Sequence, residues 1–463
     1  MRKLLIANRG EIACRILRAA RSLDIATVAV FSDADAGALH VALADEAVAI
    51  GPAQAAQSYL RHGAVIDAAL RTGADAVHPG YGFLAESAAF ARAVRAAGLI
   101  WVGPDPHTID DMGDKQRARD LAIAAGVPVL PGSDRFTEGA LDGLETAGAA
   151  VGYPLLVKAS AGGGGIGMQR VDGPEKLRKT VERTQAAAAR SFGDGSVFLE
   201  RFIPRARHVE IQVFGFGDGR AVHLFERDCS LQRRFQKIVE ESPAPGLPRE
   251  TVNRMAETAC ALARAERYAG AGTVEFIVDA DTGAFYFLEM NTRIQVEHPV
   301  SEMVTGTDLV AAQLRLAAGE DLHEAMAGLS LHGHAVEVRL YAENPARKFL
   351  PSPGTLTRFD LPRNMDGVRI ETGFRAGDAV TPYYDPLIAK IIAHGPDRAT
   401  AIARLAAALS ETVVEGLVTN RDFLLAVLHD AAFQRGAIWT GYVEAGLDRL
   451  LQDAPPLAEG PST

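Results

Sequence analysis

Short apolar runs alternate with helical periods at the start of this chain. Lys3 to Ala7 reads as a strand covered on both faces, Glu11 to Ser22 as a helix, and Ala26 to Phe31 as a second strand. Ala74 to His78 and Leu99 to Val102 are further strands, with alanine-rich helices between them. Such alternation predicts a doubly wound α/β arrangement. The texture changes from about Lys115. Tyr153 to Lys158 is a strand, the run AGGGGIGM follows, and a charged helix spans Gly173 to Ala189. Strands at Val197 to Phe202, His208 to Phe214 and Ala221 to Phe225 then lie close together, an antiparallel α+β layout. Beyond Gly333 come short strands, a proline-rich turn at Pro351 to Gly354, and helices at Arg398 to Leu409 and Asn420 to His429. The closing DAPPLAEGPST reads as a frayed tail.

At 463 residues the chain is too long for one ordinary core, so two or three domains are expected. Its 48% hydrophobic and 23% charged residues are the balance of a soluble globular protein. A net charge of −10 argues against a generic role on nucleic acid or on an anionic membrane. Three cysteines, Cys14, Cys229 and Cys260, show no CxxC spacing, which fits a reducing compartment and no zinc site. The start lacks the long apolar stretch and cleavage site of a signal peptide, and no apolar run is long enough to span a bilayer.

Several strings then carry candidate chemistry. Successive glycines from Gly162 to Gly165, with Gly167, cost backbone entropy and bring no packing. They suit either a flap whose N–H groups close over phosphates or a mobile linker, and the strand ending in Lys158 favours the flap. No Gly-Lys-Ser/Thr follows, so this is not a Walker A loop. Glu275, Glu289 and Asn291 fall on two strands joined by a turn at Asp279 to Gly283. Hard oxygen donors set side by side suit Mg2+ held with nucleotide phosphates, and two exposed carboxylates on a hairpin are the alternative. His208 and Glu210 alternate with apolar residues, as in any half-buried strand. Arg227, Arg233, Arg234 and Lys237 form a dense basic run, readable as a solvated face or as an anion pocket. Cys229 reads as a small structural residue. Arg293, Gln295 and Glu297 alternate, which places a cation, an amide and a carboxylate on one strand face. Glu337 and Arg339 likewise share a face, either as a surface ion pair or with the guanidinium set to stabilise an enolate-like oxygen.

Taken in order, IANRGEIACRI, HPGYGFLAE, GDK, KASAGGGGIGM, RHVEIQV, ERDCSLQRR, EMNTRIQVEHPVSEMVTG, YAENP, PSPG and PYYDPLIAK resemble biotin carboxylase up to about residue 447. The resemblance implies a mixed α/β and α+β chain: an N-terminal doubly wound α/β (pre-ATP-grasp) domain over 1–113, a central ATP-grasp domain over 114–332 and a C-terminal biotin carboxylase domain over 333–447. A mobile lid at about 130–204 and a tail over 448–463 complete it. Lys115, Lys158, Gly164, Gly165, Glu200, Arg201, Phe202, Ile203, His208 and Gln232 match the family's ATP positions. Glu275, Glu289 and Asn291 match its ligands for Mg2+ or Mn2+. Lys237, Arg293, Gln295, Val296 and Glu297 match its bicarbonate site, and Arg339 the residue beside the biotin ureido oxygen. Glu297 is then the base that deprotonates bicarbonate, carboxyphosphate the intermediate, and biotin the acceptor of its CO2.

Two positions depart from the family. Ile166 stands where many members carry Arg or Lys, as in the flap of urea carboxylases, and Phe235 stands where many carry His. The chain has no Met-Lys-Met for biotin attachment and no carboxyltransferase segment. Biotin is therefore expected on a separate carrier protein, with a carboxyltransferase partner, a homodimer and a cytoplasmic location. The resemblance leaves acyl-CoA, urea and pyruvate open as final acceptors. Another ATP-grasp ligase is the rival enzyme, opposed by RIQVEHPVSE. A dinucleotide-binding reading around Asp33 fails because ANRGEIA supplies one glycine where three are needed.

Overall fold

The computed structural model describes residues 1–160 and 167–453. Gly164, Gly165, Ile166 and the tail beyond 453 lie outside the described residues.

Leu4, Leu5 and Ile6 have no exposed surface, which is why the first strand, Lys3–Ile6, sits at the centre of its sheet. That sheet is five-stranded and wholly parallel. Its order is Glu46–Gly51, Ala26–Ser32, Lys3–Ile6, Ala76–His78, Ile100–Trp101. The connecting helices cover it, as a parallel sheet requires. Helix Gly10–Ser22 buries Ile12, Ile16 and Leu17 against it.

A second, three-stranded antiparallel sheet runs Met168–Val171, Leu155–Ala159, Val197–Arg201. Leu144, Leu155, Val157, Leu177, Val181 and Leu199 give it a core of its own. The charged helix expected from Gly173 starts later. Pro174–Lys176 form a 3-10 turn, and the α-helix runs Leu177–Phe192, ended by Gly193 in the left-handed region at φ 74°.

The third sheet has eight strands. Its order is Phe285–Asn291, Ala269–Asp279, Ala206–Phe216, Ala221–Arg233, Gln236–Ser242, His334–Tyr341, Leu387–Gly395, Val368–Thr372. Gln236–Ser242 pairs antiparallel with His334–Tyr341, Val239 opposite Val338 and Glu240 opposite Glu337. One sheet therefore joins the central and C-terminal segments, and Ile238, Val239, Val338, Ile391, Leu405 and Phe423 share one core beneath it.

Two expectations change here. The strand expected to end at Phe225 continues to Arg233. The charged string after Phe225 reads as a solvated face or an anion pocket, but most of its side chains are paired inside the protein, so the backbone stays in the sheet. Conversely, Arg293 to Glu297 is not a strand. Pro299 sits in the first turn of helix His298–Thr305, where its missing N–H and fixed φ favour a helix start, and Glu297 is the residue before that helix.

Candidate active site

One face of the eight-stranded sheet carries a row of ionisable side chains. Cross-strand register sets Glu289 opposite Glu275, Glu275 opposite Glu210, and Glu210 opposite Arg227. Further along, Glu240 lies opposite Glu337 and Arg339 opposite Lys390. Burying charges costs several kcal/mol per ion unless partners are close. Here they are close.

Lys237 is the hub. Its Nζ donates to Glu210 Oε2 at 2.6 Å, Glu297 Oε1 at 2.7 Å and Glu275 Oε1 at 2.8 Å. Burial opposes its charge, but the three carboxylates outweigh burial and hold the ammonium well above its ordinary pKa. Arg339 grips the other side of Glu297. Its guanidinium donates to Glu297 Oε2 at 2.9 Å and, through Nε, to Glu240 Oε1 at 2.6 Å. Glu297 is thus fully buried with a cation on each oxygen. Burial raises its pKa, and Lys237, Arg339 and Arg227 together pull it well below the usual carboxylate range.

Glu275 accepts from Asn291 and Gln295 through Oε1 at 2.9 Å each, and its Oε2 lies 2.8 Å from His208 Nε2. Gln232 reaches His208 Nδ1 at 2.7 Å. His208 is buried, which disfavours its cation, but Glu275 raises its pKa overall. Arg293 donates to Asn291 Oδ1 at 2.8 Å and to Gln295 Oε1 at 2.7 Å. The loop after the last strand therefore converges on the same spot that a strand face would have reached. Val296 contributes its backbone carbonyl, which accepts from the buried Lys390 at 2.8 Å.

The remaining sequence candidates divide. Lys158 Nζ meets Glu200 Oε1 at 2.5 Å, across the small sheet. Lys115 opens a helix capped by Asp114, and burial, with Lys158 nearby, lowers its pKa. Arg201 turns away and donates to the Val151 carbonyl at 2.8 Å, and Arg170 lies 4.7 Å over the Phe202 ring. Ile203 follows directly in the same connection. The basic run is not one patch. Arg227 and Arg233 are buried and paired with Glu210 and Glu343, Arg234 lies at the turn, and only Lys237 and Arg227 reach the site. The thiol of Cys229 is buried and pushed well up, in keeping with a structural residue. Glu240 belongs to the network although it did not stand out in the sequence, and Glu210 and Arg227, read there as strand alternation and as part of the basic run, form a buried pair in it. The available signal was strand alternation from His208 to Glu210.

Glu275 and Glu289 face each other directly, and like charges so placed repel. Lys237 and His208 attend Glu275, while Glu289 is exposed. Together with the Asn291 amide this is a hard oxygen donor set, which fits Mg2+ or Mn2+.

Family models account for nearly all of the chain. They describe a biotin carboxylase N-terminal domain at residues 1–109, a carbamoyl-phosphate synthase L chain ATP-binding domain at 114–325 and a biotin carboxylase C-terminal domain at 337–445. Biotin carboxylase 1 of Bacillus subtilis (strain 168) is 48% identical over 444 residues, 96% of this chain and 98% of that protein. The chain belongs to the biotin carboxylase family. As a biotin carboxylase it is an ATP-grasp ligase with the three-part architecture expected above.

Other similarities place it within the family. The mitochondrial methylcrotonoyl-CoA carboxylase subunit alpha of Oryza sativa subsp. japonica is 49% identical over 458 residues, 99% of this chain and 62% of that protein. This biotin carboxylase thus spans about three fifths of the length of that relative. Among solved structures, the biotin carboxylase domain dimer of Hydrogenobacter thermophilus 2-oxoglutarate carboxylase, in complex with MgADP, ADP and bicarbonate, matches with a TM-score of 0.91 and 42% identity. The match covers 97% of this chain and 98% of that one. The expected cytoplasmic location is corrected by these relatives. The methylcrotonoyl-CoA carboxylase subunits of rice, Dictyostelium discoideum and Mus musculus are mitochondrial by name. Unpaired cysteines argue for a reducing compartment and do not choose among such compartments. Among the described residues no helix is long and apolar enough to cross a membrane.

Proposed function

We propose that this biotin carboxylase uses ATP and bicarbonate to carboxylate biotin on a carrier protein, as the first half-reaction of an acyl-CoA carboxylase, working as a homodimer with a carrier and a carboxyltransferase. The observation that carries the site assignment is Glu297, whose two oxygens are held one by Lys237 and one by Arg339. A cation suited to bicarbonate and a cation suited to the biotin ureido oxygen meet on a single carboxylate.

Each residue then has a task. Lys115, Lys158, the glycine flap, the stretch Glu200 to Ile203, His208 and Gln232 hold the nucleotide. Glu275, Glu289 and Asn291 hold Mg2+ or Mn2+, which supplies charge neutralisation at the phosphates when bound. Arg293, Gln295, Val296 and Lys237 cradle bicarbonate. Glu297 stays ionised at any working pH, so it is always ready to accept a proton. Its basicity rises as Lys237 and Arg339 turn their charge towards the incoming anions. Bicarbonate then attacks the γ-phosphorus with ADP leaving, carboxyphosphate breaks to CO2 and phosphate, phosphate takes the biotin N1′ proton while Arg339 stabilises the ureido oxygen, and N1′ attacks CO2. Closure keeps water from the carboxyphosphate.

ATP hydrolysis measured with bicarbonate and Mg2+ tests this reading. Free biotin is expected to stimulate turnover, and Glu297→Gln to lower the stimulated rate by about a hundredfold or more. Steady ATP hydrolysis with no stimulation by free biotin or by a biotinylated carrier would instead indicate a different ATP-grasp ligase.

A further inference from the structure

Beside Arg339 two further carboxyl groups face each other across the strands, with Glu297 near enough to act on both. Glu240 and Glu337 are directly opposite on adjacent antiparallel strands, and neither has any exposed surface. Glu240 Oε1 accepts from Arg339 Nε at 2.6 Å, whereas Glu240 Oε2 and both oxygens of Glu337 have no hydrogen-bond partner. Two ionised carboxylates so placed would repel at short range in a medium that screens little. Leaving three buried carboxylate oxygens unsatisfied would add the cost of their lost hydration. A single proton relieves both problems, because a protonated carboxyl donates one hydrogen bond and a carboxylate accepts it.

We propose that Glu240 and Glu337 share one buried proton, and that Glu240, anchored by this pair, is the positioning residue that aims the Arg339 guanidinium. The proposal rests on the placement of Arg339 beside biotin given above. The proton resides mainly on Glu337, where burial and Glu240 act in the same direction against the pull of Lys390. Glu240 keeps the charge that pairs with Arg339. Burial raises it to about 7 even against that arginine.

The surroundings on this face are otherwise set. Lys237 comes from the same strand as Glu240, and Arg227 and Cys229 from the strand beyond it. Lys390, held by Glu11 and the Val296 carbonyl, comes from the strand next to Glu337, with Glu371 opposite. The helix His298–Thr305 contributes His298 and Glu302 and is preceded by Glu297. Glu241 points to the opposite face, where His334 and Arg398 occupy it. As pH falls through about 7 and Glu240 takes a proton, Arg339 keeps only Glu297 as a charged hydrogen-bond partner. Arg339 and the base then bind each other at the expense of biotin.

The test compares two ATP hydrolysis rates in the full chain, with bicarbonate alone and with bicarbonate plus free biotin, across pH. In Glu240→Gln the biotin-dependent rate is expected to fall by about tenfold or more, and by more than the bicarbonate-only rate, which depends on Glu297 but not on biotin beside Arg339. The acid limb near pH 7 should disappear with it. Glu337→Gln keeps a neutral donor and should retain most of its turnover. It should also lose the infrared carbonyl band of a buried protonated carboxyl that wild type shows. A parallel fall of both rates in Glu240→Gln, an unchanged acid limb, or the absence of any band lost in Glu337→Gln would overturn the proposal. The infrared comparison answers even if Glu240→Gln does not fold. It also answers if wild type shows no biotin stimulation, the separate outcome that removes the function reading.

Discussion

Among the described residues Arg227 is the largest side chain with no exposed surface. Its guanidinium donates to Glu210 and Gln212 at 2.6 Å, Ser301 at 2.9 Å and Thr273 at 3.0 Å, so all of its polar edge is used. Removing one partner of a buried pair leaves hydrogen-bonding groups stranded without water. Arg227→Met is therefore expected to destabilise the protein by about 3 kcal/mol in chemical denaturation. A loss below about 1 kcal/mol would mean that water or a shifted side chain satisfies Glu210 instead. At this scale the sequence was legible only in part. Lys237, Glu275, Glu297 and Arg339 stand out because their residue types match the family's site positions. Glu240 does not, and the burial of Glu210 and Arg227 was not legible either, because a charged residue that is paired inside a protein and one that faces water are the same letter. What separates them is the partner, which lies on another strand, 17 residues on for Glu210 with Arg227 and 99 for Glu240 with Arg339.

Elements follow local rules where local physics dominates. The helix Arg398–Glu411 runs close to its expected span because Asp397 caps it, accepting from the Thr400 N–H at 2.8 Å. Asp397→Ala is expected to cost about 1 kcal/mol of stability. Thermal unfolding measures that loss, and activity per folded molecule should stay unchanged because the helix packs on the face of the sheet away from the site. Strand Ala221–Arg233 shows the opposite case. Its second half breaks the apolar pattern, so its extent depends on pairing with Ala206–Phe216 and Gln236–Ser242. The segment Arg293 to Glu297 fails for a third reason: alternation of types was present, but Pro299 starts a helix too soon for a strand to form. The chemistry survived because the loop turns the same three side chains inwards.

For the whole molecule, architecture and family were legible because nearly every segment carries a string of its own. The continuity of the large sheet was not, since strand neighbours far apart in sequence leave no local mark. One buried cluster ties the two segments on the outer face. Glu241 accepts from Arg398 Nε at 2.6 Å and Nη2 at 3.0 Å, and from His334 Nε2 at 2.8 Å. Burial raises the Glu241 pKa, and its His334 and Arg398 hydrogen bonds more than offset this, leaving it lowered. A lowered carboxylate stabilises the fold above its unfolded pKa and loses that contribution as pH falls through the folded value. Glu241→Gln is accordingly expected to be less stable than wild type at neutral pH. The gap should narrow on acidification, as read from Tm against pH. A gap independent of pH would assign the effect to packing alone.

The seam between Gln236–Ser242 and His334–Tyr341 has a bearing on how such a chain can be rebuilt. A crossover at residue 333 looks natural from the family models, yet it would ask two strands from different parents to zip together along an interior edge. Chimeras should instead exchange both strands and the core beneath them as one cassette. A C-terminal piece expressed alone would present a bare strand edge to its own kind, and self-association is the behaviour to look for.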